Sequence, residues 1–193
     1  MNGSGLDAVF LDRDGVVNIE VHRLARPDQL ELIEGSGEAI HRLNEAGIQV
    51  FLVTNQAVVA RGICTEDDLD MIHQRLTEML VHAGAVIDDI YYCPHHPEGK
   101  IEKYRQHCSC RKPGTGMLKQ AAREHDLDLS RCVMIGDRTG DIEAATRAGC
   151  RSILVSTGYG GSDRLYTAEP TWSARDLAAA VQLVLEGTGK SCG

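Results

Sequence analysis

Four short stretches of this chain end in side chains that can handle a phosphoryl group: Asp12 and Asp14, Thr54 and Asn55, Lys112, and Asp137. Phosphoryl transfer needs a nucleophile in line with the leaving oxygen, positive charge on the equatorial oxygens and a proton donor for the departing alkoxide. Three acids, a hydroxyl and a lysine supply all of these. Carboxylates at i and i+2 off a turning strand can enter one pocket. With Asp137 they offer hard oxygens to Mg2+, which takes few protein ligands beside water and phosphate. Any one of these residues alone reads more readily as a cap or turn former, but the set together does not.

The elements that carry them are legible from hydrophobic pattern. Short apolar runs at Ala8 to Leu11, Val50 to Val53, Cys132 to Ile135 and Ser152 to Val155 read as buried strands. The first three end at the polar residues just named. Between the strands the spacing predicts helices. Ser36 is read as the cap of one that carries Ala39, Ile40, Leu43 and Ala46 and stops at Gly47. Thr65, with Asp68 three residues on, caps another bearing Leu69, Ile72, Leu76, Met79 and Leu80 on one stripe. Met117 to His125 and Asp141 to Ala148 follow, and Ser173 is expected to open a last helix through Leu177, Val181 and Val184. Alternating strand and helix implies an α/β fold, a three-layer, Rossmann-like parallel sheet covered on both faces. In such a sheet ligands bind beyond the carboxyl ends of the strands, where the polar residues stand.

Two glycine-rich segments are set aside. Gly187-Thr-Gly-Lys-Ser191 imitates the end of a phosphate loop, but Val184 stands where the first glycine belongs and no helix follows. Gly158-Tyr-Gly-Gly161 lacks dinucleotide-binding spacing and reads as a plain loop.

At 193 residues the chain is expected to form a single domain over residues 1–193, with a flexible tail from about 187 to 193. Its net charge of −8 disfavours a general nucleic-acid or anionic-membrane surface, so an anionic substrate needs locally concentrated cations. No run approaches the roughly 20 apolar residues of a spanning helix, and the N-terminus lacks a basic-then-apolar signal. A cytoplasmic monomer acting on a small metabolite is expected. The seven cysteines are then read as thiols or metal ligands, with Cys64, Cys132, Cys150 and Cys192 as plain thiols.

Phe10-Leu-Asp-Arg-Asp-Gly15, Val53-Thr-Asn-Gln56, Cys110-Arg-Lys-Pro113 and Gly136-Asp-Arg-Thr-Gly-Asp141 resemble, in order, the four motifs of the haloacid dehalogenase superfamily. The likeness runs from about residue 9 to 157. Within the superfamily the chain is similar to the group of heptose-1,7-bisphosphate 7-phosphatases and histidinol phosphatases. The resemblance implies a Mg2+-dependent phosphatase without a large cap domain, active in nucleotide-activated heptose (lipopolysaccharide core) biosynthesis. It implies Asp12 as the nucleophile that forms an aspartyl-phosphate, and Asp14 as the acid that protonates the leaving oxygen and then activates water. Thr54 and Lys112 would hold the phosphoryl oxygens. Asp12, the Asp14 carbonyl and Asp137 would ligate Mg2+, with Asp141 and Arg138 in support. Asn55, Gln56, Arg61 and Arg111 would bind substrate, and the Arg111 fork suits a second phosphate. The chain departs from the usual motif at Val16, where Thr is common, at Ala57-Val58 after Gln56, and at Arg138, where Lys is expected.

From about residue 93 to 110 the alternation breaks. An irregular loop of that length needs a reason, and a metal is one. Cys93, His95, Cys108 and Cys110 form a four-ligand set suited to closed, tetrahedral, structural zinc; His96 and His107 compete, and the i, i+2 symmetry of both halves favours His95. The resemblance strengthens this, since the group carries Cys-x-His and Cys-x-Cys here. Zinc would then hold Arg111 and Lys112 in place without entering the chemistry.

Other readings weigh less. A phosphoacceptor signalling domain also sets aspartates, Thr and Lys at strand ends, but with its acceptor on a middle strand. A zinc-dependent binding module leaves Asp12, Asp14, Thr54 and Asp137 unexplained. A DNA 3'-phosphatase calls for a basic groove. Among enzymes the runner-up is histidinol phosphatase; the resemblance favours the heptose bisphosphate, because heptose members of the group carry the longer zinc loop and twelve residues separate His95 from Cys108 here.

Overall fold

In a computed structural model, residues 5–187 are described, and they build a six-stranded sheet. The strands are β1 (Ala8–Leu11), β2 (Gln49–Asn55), β3 (Asp89–Cys93), β4 (Cys132–Gly136), β5 (Arg151–Val155) and β6 (Trp172–Ala174), in the order β3-β2-β1-β4-β5-β6. Every pairing is parallel. The helices are α1 (Ser36–Glu45), α2 (Ala57–Ala60), α3 (Glu66–His82), α4 (Gly116–Glu124), α5 (Thr139–Ala148) and α6 (Leu177–Gly187).

Side chains alternate between the faces of a strand, and this divides the core. Val9, Leu11, Val50 and Leu52 pack with Ile40, Leu43, Ile72, Leu76 and Val181, on the side of α1, α3 and α6. Ala8, Phe10, Phe51 and Val53 pack with Met117, Leu118, Ala121 and Ala145, on the side of α4 and α5. Because β1 and the centre of β2 are covered on both faces, Ala8 to Leu11 and Val50 to Val53 are unbroken apolar runs. Burial of each large side chain is worth about 1.5 to 3 kcal/mol, so the centre of the sheet carries much of the fold's stabilisation. Order reverses between β1 and β4, and a crevice opens beyond the carboxyl ends of strands at such a switch point. Asp12 follows β1 and Asp137 follows β4, one on each side of it.

Some boundaries differ from the sequence reading. Ser36 does not cap α1: Gly35, in the left-handed region at φ 80°, holds the cap position, and Ser36 is already the first helical residue. Ser173 does not open the last helix but lies in β6, opposite Leu154. The helix begins at Leu177, and Asp176 Oδ1 takes the Ala179 N–H at 2.8 Å. The capping box of α3 is as expected: Thr65 Oγ1 accepts from the Asp68 N–H at 3.0 Å and Asp68 Oδ2 from the Thr65 N–H at 2.8 Å. Val16 is wholly buried, so an apolar side chain suits that position. The Gly187-to-Ser191 motif, Cys192 and the tail fall, beyond Gly187, outside the described residues.

The irregular segment after β3 contains one short turn of 3-10 helix, Glu102–Tyr104. It is pinned to α2, whose Ala60 carbonyl accepts the N–H groups of Lys100 at 2.7 Å and Ile101 at 3.0 Å. The hydroxyls of Tyr92 and Tyr104 both donate to Glu66 in the first turn of α3. Among the described residues, no helix is long and apolar enough to cross a membrane.

Candidate active site

The cleft at the switch point is lined by Asp12, Asp14, Thr54, Arg61, Arg111 and Lys112, with Arg138 and Asp141 beside them. Lys112 enters it from the loop before α4 and is buried. Its Nζ lies 3.0 Å from Asp12 Oδ1 and 2.6 Å from Asp141 Oδ1, and donates to the Val53 carbonyl at 2.7 Å. Burial opposes the charge on Lys112, but Asp12 and Asp141 outweigh it and hold the lysine above its ordinary pKa. Asn55 fixes the turn that delivers it: its Oδ1 accepts the Lys112 N–H at 2.9 Å and its Nδ2 donates to the Lys112 carbonyl at 3.1 Å. The carboxamide expected to face substrate is thus engaged at both ends with the backbone of Lys112.

Asp12, Asp137 and Asp141 converge, each offering an oxygen within 4.8 Å of the others, all buried. Burial, with the neighbouring acids and against the pull of Lys112, raises Asp12 to about 6. Burial and then the charges of Asp12 and Asp141 raise Asp137 to about 8. Three carboxylates against one lysine leave negative charge uncompensated. Asp137 Oδ1 is also buried without a hydrogen-bond partner, where a buried oxygen nearly always has one. Both observations fit a divalent cation at this place. Asp137 is cradled by backbone: the Tyr159 N–H donates to its Oδ2 at 2.7 Å, and a Cβ at Gly15 or Gly158 would fall 2.4 or 2.1 Å from that oxygen. The Gly158-to-Gly161 segment is therefore the wall behind Asp137, which sequence reasoning passed over because its spacing matched no motif.

Asp14 is held differently. Arg13 grips both of its oxygens, Asn18 Nδ2 donates to Oδ1 at 2.9 Å and Gln56 Nε2 to Oδ2 at 2.9 Å. Burial alone would raise its carboxyl, yet Arg13 and these donors together hold it below the usual carboxylate range. Gln56 also donates to Thr54 Oγ1 at 2.8 Å, tying β2 to the turn after β1.

The mouth of the cleft is cationic. Among the described residues neither Arg61 nor Arg111 has a carboxylate in ion-pair reach; Arg111 Nη1 donates only to the His95 carbonyl, at 3.3 Å. Burial first, and then Arg61 and Arg138 nearby, press the Arg111 pKa below its ordinary value, a strain that a bound anion relieves. Arg138 lies over the Tyr159 ring at 3.6 Å and pairs with Glu20 at 3.5 Å, while His22 meets the Tyr159 hydroxyl at 2.9 Å. Glu20, His22 and Tyr159 come from loops without periodicity, where no sequence signal marks them.

The loop after β3 brings Cys93, His95, Cys108 and Cys110 together. Cys110 Sγ lies 3.1 Å from the sulfurs of Cys93 and Cys108, Cys93 Sγ 3.5 Å from Cys108, and His95 Nδ1 3.4 Å from Cys110 and 3.7 Å from Cys93. Sulfur ligands at about 2.3 Å around a tetrahedral metal stand about 3.7 Å apart, so a slight expansion of this cluster makes a four-ligand cage. Hydrogen bonding from Cys93, against burial and aided by Cys108 and His95, lowers the Cys110 thiol to about 5. The Arg111 N–H lies 3.4 Å from Cys108 Sγ, which couples the cage to the cationic mouth. His96 faces elsewhere, its Nδ1 accepting the Glu98 N–H at 3.1 Å.

Residues 109–180 match the HAD-hydrolase-like family. A D-glycero-D-manno-heptose-1,7-bisphosphate 7-phosphatase of Thermosynechococcus vestitus is 47% identical over 187 residues, covering 92% of this chain and 94% of that protein. The D-glycero-beta-D-manno-heptose-1,7-bisphosphate 7-phosphatase of Escherichia coli K12 is 39% identical over 152 residues, 78% of this chain and 80% of that one. Among solved structures, the D,D-heptose 1,7-bisphosphate phosphatase of B. bronchiseptica, complexed with magnesium and phosphate, superposes with a TM-score of 0.85 at 37% identity, covering 94% of this chain and 99% of that chain.

Proposed function

Because the chain belongs to the heptose-1,7-bisphosphate phosphatase family of HAD-like hydrolases, we propose that it removes the 7-phosphate of D-glycero-D-manno-heptose-1,7-bisphosphate by way of an aspartyl-phosphate on Asp12. The observation that carries this reading is the juxtaposition of Asp12, ion-paired to buried Lys112, with two arginines at the mouth that lack acidic partners among the described residues.

Asp12, Asp137 and the Asp14 carbonyl, with Asp141 beside them, would hold Mg2+, whose charge when bound neutralises the oxygens of the transferring group. Lys112 and Thr54 orient that group. A carboxylate oxygen of Asp12 bonds to phosphorus as the bond from phosphorus to the sugar oxygen breaks, and the departing oxygen takes a proton from Asp14. Asp14 is an anion in the resting protein, so it must first gain that proton, which the arriving dianion and the charge building on the leaving oxygen favour. In the second half Asp14 takes a proton from water, the water oxygen bonds to phosphorus, and the aspartyl bond breaks to release phosphate. General acid and base help of this kind contributes about 10²- to 10⁴-fold.

Cys93, His95, Cys108 and Cys110 would hold zinc with no open position, which suits a structural role. A reducing cytoplasm, which keeps thiolate ligands available to the metal, is the compartment that this reading implies.

Substrate choice is tested by kcat/KM for wild type, Arg111→Ala and Lys112→Ala on the heptose bisphosphate and on histidinol phosphate. Arg111→Ala should cost the bisphosphate ten- to a hundredfold or so more than the monophosphate, since a hydrogen bond to a charged group is worth about 1.5 to 3 kcal/mol. Lys112→Ala should depress both alike. Equal losses in Arg111→Ala remove its role at the second phosphate. A wild type that prefers histidinol phosphate overturns the substrate and leaves the chemistry standing.

A further inference from the structure

Arg13 stands between two acids of the cleft, yet its side chain is wholly buried and is not part of the cleft lining. Its Nε and Nη2 donate to Asp14 Oδ1 at 3.2 and 3.0 Å, and Nη2 also to Oδ2 at 2.9 Å. The remaining terminus, Nη1, lies 3.2 Å from Nε2 of His73, in α3. A guanidinium only donates, so His73 Nε2 must present a lone pair and the ring carries its proton on Nδ1. His73 is 7% exposed and packs against the Tyr92 ring at 5.6 Å. Burial and then the Arg13 charge lower its pKa to about 3, so the ring stays neutral at physiological pH. The mechanism above uses neither side chain.

We propose that His73 and Arg13 form a brace that aims the Asp14 carboxyl at the leaving oxygen, so that both are positioning residues for the proton-transfer steps. The inference rests on the reading of Asp14 as the acid. The physical ground is a chain of buried contacts in which each partner has few alternatives. Without the acceptor on His73, Nη1 would be a buried donor with nothing to meet it. The guanidinium would turn to find one, and the bidentate grip on Asp14 would turn with it. Asn18 and Gln56 still hold Asp14, so aim is degraded and not lost; errors of about 1 Å at a reacting group cost up to about 10²-fold.

The test compares an alkyl leaving group with one that needs no proton. Rate constants for the first leaving-group release, in single turnover, and steady-state KM values are measured on heptose-1,7-bisphosphate and on p-nitrophenyl phosphate for wild type, His73→Leu, His73→Gln and Asp14→Asn. His73→Leu should slow the sugar substrate about tenfold or more while nitrophenolate release changes little, with KM unmoved. His73→Gln, whose carboxamide oxygen can accept from Arg13, should recover most of the loss. Equal losses on both substrates, or a rise in KM alone, would mean that His73 merely supports the fold, and an unchanged sugar rate in His73→Leu would overturn the brace. Should His73→Leu fail to fold, His73→Gln is compared with Arg13→Lys, which cannot make the bidentate grip; lack of leaving-group selectivity in Arg13→Lys is then the refuting result. Asp14→Asn separates the two ideas. If it too slows both substrates alike, Asp14 is not the acid and the underlying reading fails; if it alone discriminates, only the brace does.

Discussion

Asp12→Asn should abolish phosphate release, by at least about 10⁴-fold, as loss of a covalent nucleophile does elsewhere. The carboxamide has the shape of the carboxylate but no anionic oxygen to bond to phosphorus. Its loss of charge also lightens the repulsion among Asp12, Asp137 and Asp141, which is why burial and acid neighbours raise the first two. Lys112 keeps Asp141 at 2.6 Å and the Val53 carbonyl at 2.7 Å, so the fold should survive with an unchanged or slightly raised melting temperature. Phosphate release and a thermal melt on the same preparation check both halves. A variant that retains near wild-type turnover would show that another group attacks phosphorus.

That the nucleophile can be named from sequence at all follows from where it stands. Asp12 ends a strand buried on both faces, and such a strand is an unbroken apolar run with its boundary at the first polar residue. The same holds at Asp137 after β4, while in β2 the apolar run stops at Val53 and the strand continues through Thr54 and Asn55. The edge strands are less legible. β3, Asp-Ile-Tyr-Tyr-Cys, is covered only in part and begins on an exposed acid, so no continuous run marks it. In β6, three residues long, Ser173 looks like a cap, yet the residue that caps is Asp176, three positions on, because pairing with β5 takes the preceding segment. Tertiary pairing there overrides a local signal.

Side-chain direction is where sequence reasoning fell short. Asn55 belongs to the right motif but spends its amide on the backbone of Lys112. Arg13, flanked by acids, carries no local sign of burial, yet its side chain is wholly buried. His73 carried a usable signal: it lies four residues after Leu69 and three before Leu76, on the buried stripe of α3, and a polar group there needs a partner. Glu20, His22 and Tyr159 meet only because two loops close over one another, which spacing cannot express.

Removal of the zinc proposed for the loop after β3 should cost stability and substrate affinity together. Two kinds of tie hold that loop, the backbone bonds from Lys100 and Ile101 to Ala60, and the cage of Cys93, His95, Cys108 and Cys110. Structural zinc contributes about 10 to 16 kcal/mol of apparent binding energy where it alone folds a peptide; with part of the loop tied otherwise, a smaller share is expected here. A loss of about 3 kcal/mol would lower Tm by about 6 to 12 °C in a chain of this size. The same loss frees Arg111, whose backbone N–H rests on Cys108 Sγ and whose guanidinium rests on the His95 carbonyl, so KM for the bisphosphate should rise more than kcat falls. Cys108→Ser is the direct variant, and Cys150→Ser, which alters a buried thiol outside the cage, is its control. Metal analysis of protein purified without chelator should find about one zinc per chain in wild type and in Cys150→Ser, and little in Cys108→Ser. Wild type free of zinc would sink the assignment. A Cys108→Ser protein that loses its metal, melts lower and yet keeps its KM would show that the cage holds the loop without governing Arg111.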